Sequence, residues 1–152
     1  MADSAVPFYC YVMITKEKYY TAETIASQSR EFHTELEGIR KSNREPLDPA
    51  KMVLLIMDMQ SFFFEPVSHA FIPSASAILP IIQSVRDRFI SKGIAVIYTR
   101  HINSSDNAKK MGTWWRDILE RENPFSQLVP GIILPDSVIV EKSQYDAFYQ
   151  TE

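Results

Sequence analysis

Val53-Leu54-Leu55-Ile56-Met57-Asp58-Met59-Gln60 is the stretch whose reading decides the fold. Apolar residues run unbroken from Val53 to Met57 and then meet an acid. A run of this length suits a strand buried on both faces, as in a parallel sheet between helical layers. A buried core helix can carry the same run, but the stretch is short, and Pro46 and Pro49 stand just upstream. Read as a strand, it delivers Asp58 to its carboxyl end, where open α/β sheets form their ligand crevice. Asp58 is there either for chemistry or to bond a loop amide.

Two more runs complete the pattern downstream. Ser74 to Lys92 predicts a helix, with Ile78, Ile81, Ile82, Val85 and Phe89 in one stripe. Ser74 or Ser76 can cap its start, Pro80 falls in or near the first turn, and Gly93 supplies the stop. Ile94 to Thr99 is a second buried strand, which makes a βαβ unit with a right-handed crossover. It ends at Arg100 and His101. Val138-Ile139-Val140 is a short third strand ending at Glu141-Lys142. The expected class is therefore α/β, a three-layer Rossmann-like parallel sheet.

Upstream of the central run, Pro7–Thr15 is aromatic and β-branched and reads as a strand. Cys10 lies in it. Lys16 and Lys18 fall beyond the run, so nothing near Cys10 in sequence would make it a thiolate, and it reads as a small packed residue. Thr21 to Lys41 predicts an amphipathic helix with Ile25, Phe32, Leu36 and Ile39 on one face and Thr21 near its cap. Ser42 to Ala50 is a linker. The expected organisation is an N-terminal extension over residues 1–49 and an α/β domain over residues 50–152.

Phe62, Phe63 and Phe64 cannot all face one core from a regular element. Either some of them line a pocket mouth or a subunit contact, or they plug the gap between sheet and helix. Met111 to Glu122 predicts a further helix with Trp115, Ile118 and Leu119 inward and Trp114 towards the crevice. His33 and His69 lack partners at ligand spacing, and no metal or cofactor is expected.

Composition narrows the class. The chain has 152 residues, 45% of them hydrophobic and 23% charged, as in one ordinary globular domain. A net charge of −3 gives no reason to expect nucleic acid or an anionic membrane as partner. The single cysteine excludes an internal disulfide framework and a Cys-rich zinc site. No apolar run reaches membrane-spanning length, and no Lys or Arg precedes Lys16, so the start does not read as a secretory signal. A cytoplasmic protein is the expectation.

The three strand ends bring Asp58, Arg100-His101 and Lys142 to one edge of one sheet. A carboxylate beside an ammonium can serve as a positioned base, while the lysine stabilises a developing anion. A plain salt bridge between strand ends is the competing reading. Arg100 and His101 also suit a carboxylate-bearing substrate.

Here the residues carry a resemblance. Val53–Gln60 with its D-x-Q, the pair Tyr98-Thr99, and Lys142-Ser143-Gln144-Tyr145-Asp146-Ala147-Phe148 resemble the isochorismatase-like (cysteine hydrolase) family over roughly residues 50 to 150. The resemblance implies a parallel α/β fold, usually oligomeric, that acts on a small molecule through a vinyl ether or an amide. It implies Asp58 as catalytic acid/base and Lys142 as catalytic lysine. Gln60, Phe63, His101, Trp114 or Trp115, Tyr145 and Phe148 would border the pocket. The family's amidases attack with a cysteine at a later strand–helix turn, whereas its isochorismatase branch needs no thiol. That later turn is not in this sequence, so the expectation is a truncated member with its C-terminal strands missing. It is either a hydrolase or a non-catalytic module that self-associates through an open edge of the Val53 strand.

Overall fold

The computed structural model describes residues 16–39, 46–115 and 118–151. The strand expected at Pro7–Thr15, with Cys10, lies outside the described residues. The elements follow in the order α1 (Ile25–Glu37), β1 (Val53–Met57), α2 (Ala75–Ser91), β2 (Ala95–His101), α3 (Met111–Trp114) and β3 (Val138–Lys142). Short 3-10 turns stand at Pro49–Lys51, Ser61–Phe63 and Pro124–Ser126.

The sheet is parallel, in the order β1-β2-β3. Met57 sits beside Thr99 and His101 beside Lys142. Side chains alternate between faces along a strand and keep the same face across a parallel ladder. Leu54, Ile56, Val96 and Tyr98 therefore share one face. On it the core forms from Ile56, Tyr98, Val129 and Ile132, with Leu79 and Ile82 of α2 packed against them. The other face carries Val53, Leu55, Met57 and Val138, which remain 54%, 39%, 59% and 57% exposed.

Helix α2 begins at Ala75. The Ser74 hydroxyl makes no cap bond and accepts the Tyr20 amide instead, at 2.9 Å. Lys16 ties the same region, donating to the carbonyls of His69 and Phe71 at 2.6 and 2.7 Å. Pro80 is the sixth residue of α2, past the first turn where its missing N–H would cost nothing. The helix stops at Gly93, whose φ of 71° only glycine adopts freely. The amides of Gly93 and Ile94 reach back to the carbonyls of Ile90 and Phe89 in a Schellman motif. Ile81 and Val85, expected in the buried stripe, are exposed. Arg86 is buried in their place.

Two expected helices differ in extent. The first is confined to Ile25–Glu37, and its apolar residues Phe32, Leu36 and Ile39 are exposed, with none buried along its length. The second shrinks to Met111–Trp114. Gly112 and Thr113 are weak helix formers. Asn103 also captures the next segment, its amide donating to the Leu119 carbonyl and its Oδ1 accepting the Leu119 amide. Those bonds are incompatible with a helix running on through Leu119. No described helix is long and apolar enough to cross a membrane.

Candidate active site

At the carboxyl ends of the strands the chain opens into a cleft of about 470 Å³, its mouth included. Strict alternation would send Asp58 to the face of Arg100 and Glu141, away from Lys142. The backbone prevents this. Asp58 has φ 52°, in the left-handed region that non-glycine residues enter at a cost and that Asp tolerates better than most. This turn brings its carboxylate over β2 to the other face. Lys142 Nζ lies 2.7 Å from Asp58 Oδ2 and also donates to the Gln144 carbonyl at 3.2 Å. The Thr99 hydroxyl donates to Asp58 Oδ1 at 2.7 Å. The Lys142 side chain is buried and the Asp58 side chain partly open to the cleft.

Gln60 is wholly buried at the rim of this arrangement. Its Nε2 donates to the carbonyls of His101 and Ser126, at 2.9 and 2.7 Å, and its Oε1 accepts the His101 amide at 2.8 Å. The carboxamide is thus committed to backbone. It staples the end of β2 to the turn at Ser126, beside an antiparallel bridge between Gln60 and Leu128.

His101 lines the cleft with its imidazole held below the usual value of 6.5. Burial is the main cause and the positive charge of Lys142 the next; the Asp58 carboxylate partly opposes them. Arg100 points elsewhere. It pairs with Glu141, which Arg121 also binds, and donates to Gln127 at 2.9 Å. Arg121, then Arg100, holds the Glu141 carboxyl below its ordinary range despite its partial burial. Arg100 therefore does not serve a substrate carboxylate in this arrangement.

The walls are aromatic. Phe62 is buried and packs edge-on against Phe63 and His69, with ring centroids 5.5 and 5.3 Å apart. Trp115 lies 5.8 Å from Phe62 and donates its indole N–H to the Tyr145 hydroxyl at 2.9 Å. Phe62 and Phe63 line the cleft, while Phe64 turns to the core. Asn103, Met111 and Leu119 complete the lining.

Of the residues singled out from the sequence, the cleft gathers Asp58, Gln60, Phe63, His101, Lys142 and Tyr145. Trp114 is 72% exposed and Phe148 86%, and neither lines it. Of the two tryptophans that the resemblance offered, Trp115 lines the cleft and Trp114, which the helical phase pointed there, does not, because the helix that set their phase ends between them. Asn103, Met111 and Leu119 were not expected there, and Phe62 was one of three phenylalanines read as lining a pocket mouth or a subunit contact or as plugging the gap between sheet and helix. Asn103 had a signal, a polar residue two positions past a strand end; the others depend on loop paths that periodicity does not encode.

Comparison with known proteins bears on the family and the fold. The isochorismatase domain family matches residues 52–152. The isochorismatase of Bacillus subtilis is 29% identical over 111 residues, which cover 68% of this chain and 34% of that protein. The structure of a cysteine hydrolase from Pseudomonas syringae superposes with a TM-score of 0.66 at 28% identity, covering 71% of this chain and 54% of the other. An N-carbamoylsarcosine amidase from Thermoplasma acidophilum shares the fold, with a TM-score of 0.56 at 22% identity. The chain thus spans about a third of the curated relative and about half of these solved structures. The matched residues run from the start of β1 through both members of the ion pair and make up well over half of the chain, which belongs to the isochorismatase family of hydrolases.

Proposed function

We propose that this chain carries the proton-transfer half of a hydrolase centre acting on a small molecule, a vinyl ether or an amide. Asp58 moves the proton and Lys142 stabilises the charge that develops. The observation that supports this best is the 2.7 Å contact between Lys142 Nζ and Asp58 Oδ2. The contact lies in an aromatic cleft at the carboxyl edge of a parallel sheet. A plain strand-end salt bridge would not need a left-handed residue to create it, and strained backbone concentrates at working sites. Phe62, Phe63, Trp115 and Tyr145 suit a flat substrate; His101, neutral near pH 7, can donate or accept a hydrogen bond to it.

The described cleft lining contains no cysteine or serine. Proton transfer to a vinyl ether asks only for an acid and a stabilised charge, so it is the reaction that Asp58 and Lys142 could carry by themselves and the first substrate class to test. The decisive comparison is turnover of a panel of vinyl ethers and carboxamides by the chain and by Lys142→Met. The proposal expects turnover that the variant loses by roughly a hundredfold or more. Equal rates in both would remove Lys142 from the chemistry.

A second reading has its own support. The sheet face of Val53, Leu55, Met57 and Val138 is uncovered among the described residues, and β1 is an edge strand there. A face and an edge of this kind favour self-association. In this reading the chain is a non-catalytic module that assembles with copies of itself. A strictly monomeric, stably folded chain in sedimentation would end it.

A further inference from the structure

Thr99 is among the most deeply buried side chains of the chain, 1% exposed, and it does not line the cleft. It sits in β2 directly beside Met57, the last residue before the left-handed turn. A buried strand position in a parallel sheet is best filled by an apolar β-branched residue, and valine has the same shape as threonine. The hydroxyl therefore answers some need other than packing, since burying one costs free energy unless it is bonded.

Its bonds all go to one residue. The Thr99 Oγ1 accepts the Asp58 amide at 3.2 Å, an amide that also reaches the Thr99 carbonyl at 3.2 Å. The same hydroxyl donates to Asp58 Oδ1 at 2.7 Å. One side chain thus holds both the backbone and the carboxylate of the strained residue. With Oδ1 gripped from the sheet, Oδ2 is left for Lys142.

We propose that Thr99 is a positioning residue for the reaction, fixing the Asp58 carboxylate against Lys142 in its working orientation. This rests on the reading of Asp58 as the proton-transfer group. A misplaced catalytic group costs rate even where binding survives. Thr99→Val removes the hydroxyl at constant shape, and kcat is expected to fall roughly tenfold to a hundredfold with KM unchanged. Thr99→Ser keeps the hydroxyl and is expected to restore kcat to within about threefold, although it loses a buried methyl. A side chain that served packing alone would give the opposite order, with the less well-packed serine variant the poorer. A valine variant within about twofold of the parent in kcat, or a serine variant as slow as the valine one, overturns the proposal.

A structural arm separates this from failure of the functional reading. If the parent chain turns over no vinyl ether or amide, that reading fails. The positioning claim is then read from crystal structures of the two variants. Lys142 Nζ is expected to lose hydrogen-bond distance to Asp58 Oδ2 in the valine variant and to keep it in the serine variant. An Asp58 carboxylate unmoved in the valine variant overturns the claim. Should that variant not fold, Thr99→Cys, close in size and only a weak donor, carries the same expectations.

Discussion

Asp58 owes its position to one dihedral angle and two partners. Its ion pair with Lys142 has consequences for stability as well as for catalysis. The Lys142 side chain is 3% exposed and Asp58 29%, so the lysine depends on the carboxylate far more than the reverse. Removing one member of a buried pair strands the other. Asp58→Asn preserves the left-handed turn, which Asn also tolerates, and removes only the charge. Allowing for the partial exposure of Asp58, a loss of about 2 kcal/mol is expected, or roughly 4–8 °C in Tm for a chain of this size. Asp58→Asn with Lys142→Met together should recover most of that loss in thermal melts. A double variant no more stable than Asp58→Asn alone would contradict the stranded-charge account. His101 predicts a pH dependence with a defined sign. Its folded value lies below 6.5, so the folded state binds the proton less readily than the unfolded chain. The stability it supports is complete above pH 6.5 and falls as pH drops towards the folded value. His101→Gln should flatten that part of a stability-against-pH curve; an unchanged slope would assign the effect elsewhere. Asp58 and Lys142 were legible in the sequence because each closes an apolar run that reads as a strand, and strand ends are where α/β sheets present side chains. Trp115 was not, since choosing it over Trp114 required knowing where α3 ends. Nor was the commitment of Gln60 and Arg100 to bonds within the protein, which depends on what the folded chain brings near them.

At the scale of elements, α2 and the loop before β3 are joined by a charged residue inside the fold. Arg86 is buried and donates to the carbonyls of Gly131 and Ile132, at 2.7 and 2.6 Å, while Asp87 pairs with its guanidinium. Arg86→Met keeps the length, leaves the Ile132 carbonyl without its donor and leaves the Gly131 carbonyl to Gln83 alone, at 3.1 Å. A cost of about 2–4 kcal/mol is expected in urea unfolding, and less than about 1 kcal/mol would show the clamp to be dispensable. Gly131 itself has φ 77°, and a Cβ there would meet Gln83 Nε2 at 3.1 Å, so no other residue fits the turn without strain. Sequence periodicity found α2 and all three strands because each is long or uniformly apolar enough to show its period. It overextended α1, and also α3, in which Gly112 and the bonds from Asn103 to Leu119 outweigh the pattern. It also placed Ile81 and Val85 inside, since a helix packed on a three-stranded sheet covers a narrower stripe than its apolar residues offer. Arg86 was missed for the complementary reason, that a buried arginine is visible only through its partners.

For the whole molecule, the described residues form a sheet with α2 and the core on one face and Val53, Leu55, Met57 and Val138 open on the other. The family match and the expected α/β class agree with that sheet, whose parallel pairing, though not its strand order, was implied by two strands joined through a helical crossover. What covers the open face was not legible, because covering is a relation between surfaces and not a property of a stretch. If copies of the chain cover it, Met57→Lys should shift the sedimentation distribution towards monomer, since Met57 lies on that face and is 59% exposed in the single chain. An unchanged distribution of oligomers would place the contact elsewhere. The central claim concerns chemistry, however: that Asp58, turned by its left-handed backbone onto Lys142, moves the proton. The most direct measurement is the steady-state turnover of the vinyl ether and carboxamide panel by the chain and by Asp58→Asn, with folding of both verified by circular dichroism. The account predicts measurable turnover by the parent and a loss of about a hundredfold to ten-thousandfold in the folded variant. Turnover by a folded Asp58→Asn at the parent's rate would contradict it.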